Sequence, residues 1–142
     1  MTVTTKKKWD DEVIKTNKMF SELFNLNLAP GELNGNMVSK TITKDREKVK
    51  EFIKYLLNNG FEIAYNAKPG SSKTPGMVLR KAVLSTRKRA IYYHDFYLQG
   101  GANGIRIKSY ADYLWAEKYF TEESLQKFKN EFKNKTRLLF KW

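Results

Sequence analysis

The residues best suited to chemistry are cations and aromatics gathered in the second half of the chain. Arg80 and Lys81 are followed by the consecutive run Arg87, Lys88, Arg89, and Arg106 and Lys108 come soon after. Adjacent like charges repel in an isolated protein and gain when a row of phosphates faces them. Arginine adds a planar fork of donors that suits phosphate oxygens and base edges better than a lysine ammonium does. The whole chain agrees: 27 Lys and Arg stand against 15 Asp and Glu, a net charge of +12 over 142 residues. Such an excess points to a polyanionic partner, a nucleic acid or a nucleoprotein complex.

The aromatic run Tyr92, Tyr93, His94, Asp95, Phe96, Tyr97 lies between these cations. On a strand, Tyr93, Asp95 and Tyr97 share one face and Tyr92, His94 and Phe96 the other. One face belongs to the core. The other can act as a stacking platform for bases, with Tyr92, Tyr93 or Tyr97 as its rings and Arg89, Arg106 and Lys108 beside it. Ordinary sheet packing uses the same residue types. Lys68 and Lys73, in the loop Lys68–Gly76, complete the expected nucleic-acid-binding set of Lys68, Lys73, Arg80, Lys81, Arg87, Lys88, Arg89, Tyr92, Tyr93, Tyr97, Arg106 and Lys108.

Catalytic readings are weaker. His94 is the single histidine. Its neighbour Asp95 points to the opposite side of a strand, so the two form no acid–base dyad. Glu62, Asp95, Asp112 and Glu117 lack the close acid and lysine spacing of a metal-dependent nuclease. The segment Gly100–Gly104 lacks the Gly-Lys-Ser/Thr ending of a phosphate-binding loop and reads as a hairpin turn. The loop around Gly70-Ser71-Ser72-Lys73-Thr74 fails the same pattern. No catalytic residue, metal ligand or cofactor is expected. With no cysteine, disulfides, thiolate zinc sites and cysteine nucleophiles are excluded.

The chain has the size of one domain, 1–142, and 41 % apolar residues, enough for a core. No apolar run nears the roughly 18–20 residues that span a bilayer. The basic N-terminus lacks an apolar stretch after it, so no signal peptide is read and a cytoplasmic location is expected.

Periodicity supplies the elements. Trp9–Phe24 reads as an amphipathic helix with acids in its first turn. Thr43 is the expected cap of a second helix, whose stripe is Val49, Phe52, Ile53, Leu56 and Leu57 and whose stop is Gly60. Phe61, Ile63 and Tyr65 read as the inward side of a strand. Met77–Arg87 fits a helix or a strand, with helix slightly favoured. Ala90–Gln99 and Ile105–Lys108 form a hairpin. Ser109 and Asp112 resemble the start of a helix through Trp115, and Thr121 opens a last helix with Leu125, Phe128 and Phe132 inward. The expected fold class is α+β: a single domain with a small antiparallel sheet of three to five strands and helices packed on one face.

The leading expectation is a small non-catalytic nucleic-acid-binding protein. Its size and its lysine and asparagine bias fit a phage or mobile-element accessory protein. Two alternatives stand beside it: an inhibitor of a host defence or replication nucleoprotein complex, and a ribonuclease-type toxin.

Overall fold

The computed structural model describes residues 3–43, 46–66, 76–101 and 104–130. The strands are β1 (Val3–Thr4), β2 (Val38–Thr43), β3 (Glu62–Asn66), β4 (Gly76–Ser85), β5 (Ala90–Gly101) and β6 (Gly104–Trp115). The helices are α1 (Lys6–Leu23), α2 (Pro30–Leu33), α3 (Arg46–Asn58) and α4 (Glu122–Lys129). Among the described residues they form one α+β domain with a six-stranded mixed sheet of order β1-β4-β5-β6-β2, in which β3 also pairs with β4. Among these pairings only β1–β4 is parallel. No helix of the described residues is long and apolar enough to cross a membrane.

One sheet face carries α1 and α3. Thr5 caps α1 by accepting a hydrogen bond from the Lys8 backbone N–H at 3.2 Å, and Trp9, Val13, Asn17 and Phe20 then bury one side of the helix. In α3, Val49, Phe52, Ile53 and Leu56 do the same. Phe20, Phe52 and Phe96 meet with ring centroids 5.1–5.6 Å apart. Leu79, Leu98 and Ile107 fill the sheet side of this core. Each fully buried side chain of this size contributes roughly 1.5–3 kcal/mol. Gly60 ends α3 at φ +88°, and a Cβ there would meet Lys81 Cε at 3.3 Å, so the stop needs glycine.

The opposite face carries α4. Thr121 caps it by accepting from Ser124 N–H at 3.0 Å, and Leu125 packs with Ala82, Leu84 and Ile91. Beside this small apolar cluster lies a buried ion pair. Arg80 Nε and Nη2 donate to the two Asp95 carboxylate oxygens, each at 2.8 Å, and Arg80 Nη1 donates to the Phe128 carbonyl at 3.1 Å. Arg80 is 5 % and Asp95 1 % exposed. The Phe128 ring lies 4.0 Å from the guanidinium carbon, adding a cation–π contact.

Several expectations change. The sheet has six strands and is mixed, not three to five antiparallel ones, and helices cover both faces, not one. Met77–Arg87 is mostly strand β4, set by pairing with β1, β3 and β5, and its residues are buried on both faces, so the apolar pattern alone does not separate strand from helix. Ser109 starts no helix. It lies mid-way in β6, which pairs with β5 as far as Trp115. In β3, Ile63 pairs with Leu79, on the α1 and α3 side as expected, but is 36 % exposed, Ala64 is buried, and the side chain of Tyr65 lies outside the described residues. Helix α1 begins at Lys6, so Asp10–Glu12 lie beyond its first turn. In α3, Leu57 is exposed. Thr43 is the end of β2, and residues 44–45 lie outside the described residues, as do Phe132 and Trp142.

Removing one partner of a buried ion pair leaves the other charge uncompensated. Asp95→Ala is therefore expected to cost about 3–5 kcal/mol in urea unfolding, whereas Arg80→Met combined with Asp95→Leu costs much less. Similar losses in the single and double variants would mean that packing, not charge pairing, carries the effect.

Candidate nucleic-acid interface

The cationic run Arg87, Lys88, Arg89 forms the turn between β4 and β5. It lacks glycine and asparagine, and the backbone closes by placing Lys88 at φ +60°, the left-handed region. Three sets of hydrogen bonds hold it there. Lys88 N–H donates to the Ser85 carbonyl at 2.8 Å, and Ser85 Oγ accepts from the N–H groups of Arg89 (3.2 Å) and Ala90 (3.1 Å). From the segment after β6, Phe120 N–H donates to the Lys88 carbonyl at 2.7 Å and Ala116 N–H to that of Arg89 at 2.9 Å. Arg87 and Lys88 thus project into solvent from an anchored backbone.

Arg89 is half-buried. Its Nε donates to the Ala116 carbonyl at 3.0 Å, and its guanidinium carbon lies 5.1 Å from the centroid of the Trp115 ring. Trp115 is itself 64 % exposed. A groove of about 460 Å³ opens beside it, lined by Lys6, Arg87, Arg89, Tyr92 and Trp115 together with the hydroxyl residues Thr4, Thr5, Ser85 and Thr86. Among the described residues no carboxylate lines it. A second, smaller groove of about 190 Å³ adjoins Lys6 and Tyr92 and includes Tyr113, Asp10 and Asp112.

The expected binding set does not come together as one surface. Arg80 is in the interior, paired with Asp95, and is withdrawn from any phosphate contact. Lys81 faces the side that carries α1 and α3 and lies 3.6 Å from a Glu12 carboxylate oxygen. Tyr92 faces the same side and stacks on Trp9, with centroids 6.2 Å apart and planes 17° apart. Tyr93 is on the opposite side, against Phe128 at 5.2 Å. Tyr97 is there too, its hydroxyl donating to Asp95 at 3.2 Å. Burial, then the Asp95 charge, push the Tyr97 phenol up to about 12, so it remains a donor. Arg106 and Lys108 are exposed near the start of β6, with Lys108 opposite Tyr97 in register. The run of β6 from Arg106 to Trp115 covers roughly 30 Å along the strand, so the turn and this pair are two patches. Lys68 and Lys73 lie outside the described residues.

His94 has a structural place. It is buried against Phe61 and Phe96. Ser109 Oγ donates to Asn17 Oδ1 at 3.0 Å, so His94 Nε2–H is the donor in its 2.9 Å bond to Ser109. Asn17 Nδ2 continues the chain to the Leu33 carbonyl at 3.0 Å. Burial, with Lys81 adding to it, lowers the imidazole pKa to about 3. Asp95 faces away from His94, as expected of strand neighbours. Of the carboxylates considered for a metal, Asp95 is committed to Arg80, Glu62 lies 3.6 Å from Lys129 Nζ, and Asp112 accepts from the Tyr110 hydroxyl. Among the described residues no group of three or more acidic, histidine or cysteine side chains could hold a metal.

Lys6, Tyr113 and Trp115 were not among the expected residues. The alternation of buried Ile105, Ile107 and Ser109 with exposed Arg106 and Lys108 continues the strand toward them. The Ser109–Asp112 pair hid that signal by resembling a helix cap. No family model, curated protein or solved structure matches the chain.

A histidine held neutral in the fold but free to ionise when unfolded stabilises the protein above the unfolded pKa of about 6.5, and that stability is lost as pH falls toward 3. Between pH 7 and pH 5 the expected loss is about 2 kcal/mol. Urea unfolding at both pH values checks it, and His94→Gln, which keeps a donor for Ser109, should remove most of the difference.

Proposed function

We propose that this protein is a small non-catalytic nucleic-acid-binding protein and that the β4–β5 turn is its contact surface. The observation that carries the reading is the groove beside the turn, where Lys6, Arg87 and Arg89 meet the exposed Trp115 and no carboxylate is among the described lining residues. Cations on an anchored backbone favour phosphate, and an exposed indole favours a base face. The net charge of +12 supports long-range attraction to a polyanion. Arg106 and Lys108 offer a second, separate phosphate contact.

A nucleoprotein complex is the second reading, as for an inhibitor carried by a phage or mobile element. What favours it is the exposure of Leu114 and Tyr119 in addition to Trp115, apolar area that a protein surface can bury.

Arg87→Ala with Lys88→Gly tests the first reading. The hydrogen bonds that hold the turn run through its backbone, and glycine suits the Lys88 conformation. Measured by fluorescence anisotropy across salt concentrations, the double variant should bind nucleic acid more weakly. Its log–log salt slope should flatten by roughly one unit for each phosphate that is no longer neutralised. An unchanged slope moves the binding surface away from the turn.

A further inference from the structure

The exposed aromatics at the end of β6 narrow the ligand. Tyr113 and Trp115 are two residues apart on one strand and share a face, the one that carries α1 and α3. Helix α1 covers Tyr92 through Trp9 and only borders the two positions beyond it: Tyr113 is 55 % and Trp115 64 % exposed. The last two positions of β6 on this face are therefore aromatic rings that no described helix covers. With Arg89 against Trp115, much of that indole's surface remains open to a ligand.

We infer that this strip takes single-stranded nucleic acid, with successive bases on Trp115 and Tyr113 and the backbone held by the turn. The inference rests on the nucleic-acid reading above and adds the strand type. The strand geometry sets the two ring positions roughly 6.7 Å apart, about twice the 3.4 Å step of stacked bases in a duplex strand. Bases can occupy both only when they are parted from one another, and in a duplex their faces are already covered by stacking. A single strand meets both conditions.

Charge orients the strand. The groove at Trp115 has Arg87 and Arg89 and no carboxylate among its described residues. Toward Tyr113 the lining includes Asp10, paired with Lys6 at 3.0 Å, and Asp112. Phosphates are favoured on the turn side and disfavoured beside these acids, so the backbone follows the turn and the bases reach across β6.

The test uses the full chain with labelled oligonucleotides of about 12 residues, within the site sizes of single-strand binders: oligothymidine, single-stranded RNA and a DNA duplex. Tyr113→Ala and Trp115→Ala, checked for folding by circular dichroism, should each weaken single-strand binding by about five- to a hundred-fold and leave duplex binding unchanged. Oligothymidine should also quench a tryptophan signal that Trp115→Phe alters. If duplex binds as tightly as single strand, or if the aromatic variants bind normally while Arg87→Ala with Lys88→Gly binds weakly, the single-strand inference falls and the nucleic-acid reading stands. If no oligonucleotide binds, both fall, and the exposed Trp115, Tyr119 and Leu114 would then be assigned to a protein partner.

Discussion

Arg80 and Asp95 form the interaction on which the second face of the sheet depends. Two charges at this depth are tolerated only as a well-formed pair, because the desolvation of either alone would cost several kcal/mol. The pair joins adjacent strands at one register position, Arg80 opposite Asp95. The spare guanidinium donor reaches the Phe128 carbonyl of α4. A helix that buries little apolar surface is thereby oriented on the sheet by a directional contact as well as by Leu125. The two phenols nearby follow the same logic: Tyr97 donates its hydroxyl proton in a hydrogen bond to Asp95, and Tyr93 packs against the guanidinium and Phe128.

The placement of α4 reaches the candidate interface. The segment between β6 and α4 must return over the end of the sheet, and it does so by hydrogen-bonding the carbonyls of Lys88 and Arg89. These contacts, with the Ser85 hydroxyl, hold a lysine in a backbone conformation that lysine alone would disfavour. Local strain compensated by surrounding contacts is a common feature of sites that present side chains to a ligand. Here it displays Arg87 and Lys88 outward while Arg89 turns inward under Trp115.

The face that carries α1 and α3 is closed by a different polar device. Asn17, Ser109 and His94 connect α1, β6 and β5 through the core, and each of the three donors has an acceptor. A satisfied buried network of this kind fixes which helix faces which strand. It also removes the one histidine from the surface.

What could be read from the sequence was local. Helix α3 was legible because Val49, Phe52, Ile53 and Leu56 recur at helical spacing and Gly60 supplies the stop. The β5–β6 hairpin was legible because glycines lie between two strand-like runs, and Tyr92 and Tyr93 were expected on opposite faces because a strand alternates. The turn cluster Arg87, Lys88, Arg89 was visible as charge, and the overall basicity needed no fold at all. The rest depended on pairing between distant segments. Met77–Ser85 is a strand buried on both sides, so its apolar pattern has no period, and only its neighbours β3, β5 and β1 define it. Arg80 looked like the exposed cations of the turn, and what lets it be buried is a carboxylate fifteen residues away brought opposite by register. Tyr113 and Trp115 became surface rings because β6 continues beside β5 past the end of α1, and Arg106 was separated from the turn by the length of the same strand. Periodicity and charge are properties of neighbours in sequence, whereas burial and the grouping of side chains into a site are properties of neighbours in space, and in a sheet those neighbours are set by register.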